Sequence, residues 1–262
     1  MATTKNIQSV ERAFSILELF SRSGCAEQSV KEIADGLELN KSTAFGLINT
    51  LTNLGYLQQN AENQKYALGL KLLSLSDAVK AQNLIIRAVH PYLEQINRRY
   101  GETAHCAVQE NDGVIYVDKV ESSGAIYIGT RIGTRNDLHC TGVGKCILAY
   151  MPPKDQERVF SRRMRVMTPN TIHTAEQLRR AIAEVRRSGY ATDNEEIAEG
   201  LFCVAVPVFS APETVACAIS VSGMTPRIQA AREGGLLDDL KQAAADISRE
   251  VFRYDPAANG QG

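Results

Sequence analysis

Residues 29–57 read SVKEIADGLELNKSTAFGLINTLTNLGYL. Ser29 and Glu32 stand three residues apart, the spacing at which a hydroxyl and a carboxylate cap each other's backbone amides at a helix start. Val30, Ile33, Ala34 and Leu37 then recur on one face of a short helix. After the break ELN, Asn40 suits the cap of a second helix, which turns Ala44, Leu47, Ile48 and Leu51 inward. Lys41, Ser42, Phe45, Gly46 and Asn49 fall on its opposite face. Two short helices around a tight break, the second polar outside, form the helix-turn-helix pattern.

Working outward, residues 7–21 (IQSVERAFSILELFS) place Val10, Ala13, Phe14, Leu17 and Phe20 at helical spacing. On the other side, Tyr56-Leu57 and Tyr66-Ala67-Leu68 flank a polar turn around Ala61–Asn63, which predicts a two-stranded wing. Residues 1–68 therefore read as a winged helix-turn-helix domain. Lys41, Gln58 and Lys65 are candidate phosphate contacts; Ser42, Thr43, Phe45, Gly46 and Asn49 are candidates to approach base edges. Residues 1–70 carry six Lys/Arg against seven Asp/Glu, but residues 39–61 hold Lys41 and no acid. A surface this sparse in charge implies a shallow salt dependence, so useful affinity would need a dimer.

Residues 69–101 are strongly helical in pattern, opening with Leu70, Leu73, Leu75 and Val79, and Pro91 predicts a break or a new first turn. The part 69–82 reads as a linker helix able to pair with a second subunit. From Glu102 the period changes to short strands: TAHCAVQ, GVIYVDKV and AIYIGTR, and later GLFCVAVPVF and TVACAISVSG. Helical segments are expected at 142–151, 175–188 and about 227–252. Strands first and last with helices between predict an antiparallel sheet covered by helices, an α+β domain over 83–254, with 255–262 a flexible tail.

The strand faces are unequal. Val215, Cys217, Ile219 and Val221 oppose Ala216, Ala218, Ser220 and Ser222; Phe202, Val204, Val206 and Val208 oppose Leu201, Cys203 and Ala205. The small, hydroxyl-rich side leaves either room for a compact polar ligand or a seat for a closely packed helix.

Residues 139–150, HCTGVGKCILAY, invite a nucleotide-loop reading that counting rejects. The first glycine of G-x-x-x-x-G-K-[ST] would fall on His139 and the magnesium-binding hydroxyl on Cys146. What remains is a helix start, Thr141 its cap, whose free amides suit an anion.

Composition sets the outer limits: 44% hydrophobic residues and a net charge of −1 describe an ordinary globular protein. The start lacks a signal-peptide pattern, no apolar run is long enough to span a bilayer, and six cysteines include no C-x-x-C pair. A cytoplasmic protein without membrane association is the expectation.

In order along the chain, SVERAFSILELF, LNKSTAFGLINTLTNLGYL, NQKYALGLKLL, LHCTGVGKCILAYMP, RRSGYATDNEEIAEGLFCVAVPVF and AISVSGMTPRI resemble the IclR-type bacterial transcriptional regulators. The resemblance covers nearly the full length. It implies a winged helix joined to a GAF-like effector-binding domain, working as a homodimer or dimer of dimers on palindromic operator DNA. Its ligands are small organic acids, in a site that maps to Ile128, Thr141, Gly142, Val143, Asp193, Leu201, Cys203, Ser220 and Ser222. Many relatives carry Arg where this chain has Gly46, so no operator sequence is implied. The loop TRNDLHC, with Asn136, is more polar than in members that bind very small keto acids.

The expected function is a repressor of a catabolic operon, controlled by a hydroxylated or sugar-derived acid, with Asp193 accepting a ligand hydroxyl. An activator of aromatic-acid catabolism is the alternative. No enzyme is expected: His139–Cys140 and His105–Cys106, read as strand neighbours, would face opposite ways and could not act as base and nucleophile. A metal sensor built on His139, Cys140 and Cys203 lacks a four-ligand set. No cofactor and no metal are expected.

Overall fold

The computed structural model describes residues 6–124 and 129–257 and divides at Gln82–Asn83 into two compact units. The first unit holds α1 (Gln8–Ser23), α2 (Val30–Gly36), α3 (Lys41–Asn53), the hairpin β1 (Leu57–Gln59) and β2 (Tyr66–Leu68), and α4 (Lys71–Gln82). Ser29 and Glu32 form the reciprocal capping box of α2, and the Asn40 side chain caps α3 by accepting from the Thr43 amide. Ile16, Phe20, Ile33, Ala44, Ile48, Leu51 and Leu57 form the core of this unit. The inward stripe of α1 is therefore rotated from the expected one: Ile16 is buried, while Val10 and Phe14 are exposed.

The wing pairs Leu57 with Leu68 and Gln59 with Tyr66, and Tyr66 is bridged again to Gln28. The Glu27 carboxylate accepts from the side-chain amides of Asn60 (2.8 Å) and Asn63 (2.6 Å), fixing the turn. α4 buries none of its side chains; Leu73, Leu75 and Val79 are exposed.

The second unit opens with α5 (Leu84–Tyr100), capped by Asn83. Pro91 does not interrupt it, contrary to the expected break. Ile86, Val89, Leu93 and Ile96 are buried on one face, and that packing holds the helix across the missing N–H. Six strands follow: β3 (Thr103–Glu110), β4 (Gly113–Val120), β5 (Arg135–Asp137), β6 (Ala191–Asn194), β7 (Leu201–Ala211) and β8 (Thr214–Met224). They form one antiparallel sheet in the order β5-β4-β3-β8-β7-β6. The helices are α6 (Gly142–Ala149), α7 (Pro153–Phe160), α8 (Ala175–Ser188), α9 (Thr225–Glu233) and α10 (Leu236–Phe252).

Strand alternation gives the sheet two different faces. Phe202, Val204, Val206, Val208, Ile219 and Val221 pack with α5, α9 and α10. Cys203, Ala205 and Ala218 face the second core, with α6 and α8. The single last helix expected at 227–252 is two, separated at Gly234-Gly235, where Gly235 takes φ 97°. Of the expected strand 125–131, residues 125–128 lie outside the described residues, and 129–131 are not strand. Of the expected tail, Pro256 is buried and residues 258–262 lie outside the described residues. No helix among the described residues is long and apolar enough to cross a membrane.

Candidate functional site

On α3, Lys41, Ser42, Phe45, Gly46 and Asn49 form one exposed stripe, with Gln58 exposed on β1. Phe45 leaves half its surface in water, unusual for a phenyl ring beside an intact apolar core. Two of the candidates are partly committed to the fold. Thr43 is half-buried with its amide on Asn40 Oδ1 (2.8 Å), and the Ser42 hydroxyl donates to the same oxygen at 2.9 Å. Lys65 sits 3.6 Å from the Glu32 carboxylate, which offsets part of its charge. Thr50 and Asn53, also exposed, extend the stripe by one turn from Gly46 and Asn49; the same 3.6-residue period carried on would have included them.

In the second unit, β-register brings the small side chains into rows. Asp193, Cys203, Ser222 and Thr103 lie in successive strands directly opposite one another, and the next row runs Ala205, Ser220, His105. Cross-strand partners share a face, so these groups form a buried polar floor on the side of α6. Leu201, two residues before Cys203, is half-buried on that face at its edge. Ile128 lies outside the described residues.

Over this floor stands the start of α6. Thr141 caps it: its hydroxyl accepts from the Gly144 amide (2.9 Å) and donates to the Asp137 carbonyl (3.1 Å). The amides of Gly142 and Val143 precede the first intrahelical bond, Lys145 N–H to Thr141 O. Packing leaves little room at Gly142 and none at Gly144. A β-carbon at 142 would lie 3.0 Å from Ala205 Cβ and 3.2 Å from Cys203 Sγ. One at 144 would lie 2.6 Å from the Leu138 carbonyl and on top of the Thr141 hydroxyl. The small face thus does seat a helix at Ala205 and Cys203, while Ser220, Ser222 and His105 continue the floor in polar groups.

Electrostatics sets the protonation of this floor. Burial raises the Asp193 carboxyl to about 7, reinforced by the nearby Glu196 carboxylate and opposed by the Glu196 amide, which donates to Asp193 Oδ1 at 2.7 Å. Near neutral pH Asp193 is therefore only partly charged, and its repulsion of a ligand carboxylate is weaker than its sequence identity implies. Burial pushes the Cys203 thiol to about 12 despite hydrogen bonds with Ser222 and Ser220. A thiol held neutral in this way is a polar wall, not a nucleophile.

Lys145, the lysine of the rejected nucleotide loop, is buried and ion-paired with buried Glu196. Hydroxyls of Thr168 (3.3 Å) and Thr171 (2.6 Å) donate to the Glu196 carbonyl, fixing that segment. His139 and Cys140 lie in a bend and not on a strand, so the strand-alternation objection to their cooperation does not apply. With Asp137 they bring three potential ligand atoms within 4.8 Å of one another. Yet the Cys140 thiol is raised by burial and by the Asp137 and Asp193 charges, and the His139 ring donates from Nε2 to the Arg165 carbonyl at 2.9 Å. Cys203 is not part of that group. His105 and Cys106 do fall on opposite faces of β3, Cys106 in the apolar core with α5 and α10.

Beside the floor is an open cleft of about 470 Å³ lined by Arg135, Asn136, Cys140, Arg162 and Arg165 among others. Asn136 joins the two, because it hydrogen-bonds the hydroxyl of buried Tyr116, whose ring meets His105 edge to face.

A helix-turn-helix with a wing, followed by a sheet carrying this polar floor, matches two family models. Residues 9–61 match the IclR helix-turn-helix domain, and residues 77–249 match the bacterial transcriptional regulator IclR C-terminal domain. The chain belongs to the IclR family. It is 35% identical over 246 residues to the HTH-type transcriptional regulator XynR of Escherichia coli strain K12, covering 94% of this chain and 97% of that one. The DNA-binding transcriptional repressor YiaJ of the same organism is 31% identical, covering 93% and 88%. Among solved structures, an IclR homolog from Microbacterium hydrocarbonoxydans complexed with 4-hydroxybenzoate is 25% identical. It superposes with a TM-score of 0.82 over 94% of this chain and all (100%) of that one. As an IclR-family protein the chain is a transcriptional regulator, with a DNA-binding helix-turn-helix unit and an effector-binding unit of α+β fold.

Proposed function

We propose that the protein represses a catabolic operon by binding a palindromic operator through the exposed stripe of α3, and that a small hydroxylated or sugar-derived acid relieves this repression. The observation that carries the reading is the buried floor of Asp193, Cys203, Ser220 and Ser222 beneath the amide end of α6. In it the acid's carboxylate meets the amides of Gly142 and Val143, and its hydroxyls meet the serines and Asp193. YiaJ, described as a repressor, supports the sign. The exposed leucines of α4 and the exposed Val10 and Phe14 of α1 favour a homodimer, which a two-fold operator requires. Relief then demands that the acid bind the operator-free arrangement more tightly than the bound one.

A mobility-shift assay on the DNA upstream of the protein's own gene, with sugar acids, keto acids and aromatic acids, tests this. The expected result is a shifted band that a hydroxylated acid dissolves, absent in a Leu73→Glu/Val79→Glu variant that elutes as a monomer. A band that forms only when an acid is present would overturn the sign of regulation. The 4-hydroxybenzoate bound to the Microbacterium homolog favours a second reading, an activator answering to aromatic acids. The same assay separates the two by which acids act and in which direction.

A further inference from the structure

Buried His105 is the side chain on the polar floor whose chemistry the fold leaves unused. It is 2% exposed, yet neither ring nitrogen has a hydrogen-bond partner among the described residues. A buried polar atom without a partner is rare in a folded protein, because desolvation is not repaid by a new bond. The position is not accidental in direction. His105 lies directly opposite Ser220 on β8, one row from Ser222 and Cys203, and its ring is fixed edge to face against Tyr116 at 5.2 Å between centroids. On the same face Ala107, Ala205 and Ala218 offer no polar group, and neither Ser220 nor Lys119, which lie opposite it on the flanking strands, hydrogen-bonds either ring nitrogen.

The protonation state follows from the surroundings. Burial pushes the imidazole down to about 3, and the charge of Lys119, paired with it across β3 and β4, pushes the same way. The ring is neutral across the physiological range. A neutral imidazole offers one N–H and one lone pair. A carboxylate or ketone oxygen can satisfy the N–H, but neither carries a hydrogen for the lone pair. A hydroxyl does.

We propose that His105 is a specificity-determining residue of the effector site, selecting acids that bear a hydroxyl able to donate to its free ring nitrogen. This rests on the reading of the polar floor as the effector site and names the ligand chemistry that the floor demands. It also accounts for why a stable core would retain an unsatisfied ring: the partner arrives with the ligand.

Titration calorimetry on the full chain with matched acids tests it: glycerate against propionate, gluconate against hexanoate, 4-hydroxybenzoate against benzoate. The wild-type protein should bind at least one hydroxylated acid ten-fold or more tighter than its partner. His105→Phe, which keeps a ring against Tyr116 and removes both nitrogens, should cut that ratio about ten-fold, and His105→Gln, which keeps a donor and an acceptor, should restore part of it. The Phe variant should melt no lower than wild type without ligand, since it loses no hydrogen bond. If it fails to fold, ¹⁵N-histidine spectra give the same answer: the hydroxylated acid should move one ring signal, the one missing in His105→Gln. An unchanged ratio, an unmoved ring signal, or wild-type protein that binds none of the hydroxylated acids overturns the proposal. A Ser220→Ala/Ser222→Ala variant locates the failure. Binding lost there but indifferent to His105 leaves the effector site standing without this role, whereas binding intact in the double-serine variant removes the site itself.

Discussion

The outer stripe of α3 and the inner floor of the sheet are both built from small and polar side chains, and they are opposites in energy. On α3, Ser42, Gly46 and Asn49 stand in water, which satisfies whatever polar atoms the fold leaves over before any partner arrives. On the floor, His105, Asp193, Ser220 and Ser222 are buried, so any group not answered within the protein raises the free energy of the folded chain. Exposed substitutions on α3, the helix-interior glycine at 46 apart, should therefore change stability by no more than about 0.5 kcal/mol, whereas the floor should trade stability against ligand chemistry. The lesson is that two binding surfaces of similar composition can be told apart by what removal of a group does to the empty protein.

Asp193 gives the largest test. Its carboxyl is raised to about 7 in the folded chain, above its ordinary value of 3.8. The sign follows: stability is greatest below the unfolded value and is lost as pH rises through the folded one. Raising the carboxyl from 3.8 to about 7 corresponds to a loss of up to about 4 kcal/mol by pH 8. Asp193→Asn retains an oxygen for the Glu196 amide and removes the charge. Melting of the ligand-free proteins should coincide near pH 4, diverge between about pH 4 and 7 and run parallel above that, with the variant higher by roughly 10 °C at pH 8. A constant difference across that range would show that burial of this carboxylate does not govern the floor.

Next in size is Gly144. Alanine there would set a β-carbon 2.6 Å from the Leu138 carbonyl and on the hydroxyl that caps α6. The backbone cannot move aside without releasing the cap, so Gly144→Ala should lower stability by about 1–3 kcal/mol, read as a fall in denaturant midpoint. It should also weaken acid binding, since it displaces the amide end of the helix. Loss of stability with acid binding untouched would separate the helix start from the ligand.

How much of this was legible depended on whether a signal was local. The caps at Ser29 and Asn40 and the Thr141 cap depend on residues three apart, and each appears where the sequence places it. The two-faced character of β7 and β8 follows from alternation alone. The apolar residues of α1 suit two overlapping stripes, and only α2 and α3 decide that Ile16 and not Phe14 turns inward. β6 is not legible in sequence, because ATDN has no strand character of its own; pairing with β7 supplies it. The bend that gathers Asp137, His139 and Cys140 passed for strand, since a run of seven mixed residues does not show where the chain turns. In the sequence His105 is no more than a neighbour of Cys106. An unanswered ring is not a property of the residue, and it becomes visible only once all its surroundings are placed.

The smallest effect comes from the glycine that contrasts most with Gly144. A β-carbon at Gly46 would meet nothing within 4 Å, and the residue lies in an exposed helix interior where glycine costs about 1 kcal/mol relative to alanine. Gly46→Ala should thus raise stability by about 1 kcal/mol, a few degrees in melting temperature, the opposite sign to Gly144→Ala. Among the described residues nothing requires glycine there, so if the bare backbone has a use it lies in what approaches from outside. Operator affinity should then fall several-fold in the same variant that melts higher, because a methyl group keeps the DNA at a distance. If affinity and stability rise together, Gly46 is not a point of close approach, and the reading surface has to be centred elsewhere on the stripe, toward Asn49 and Thr50.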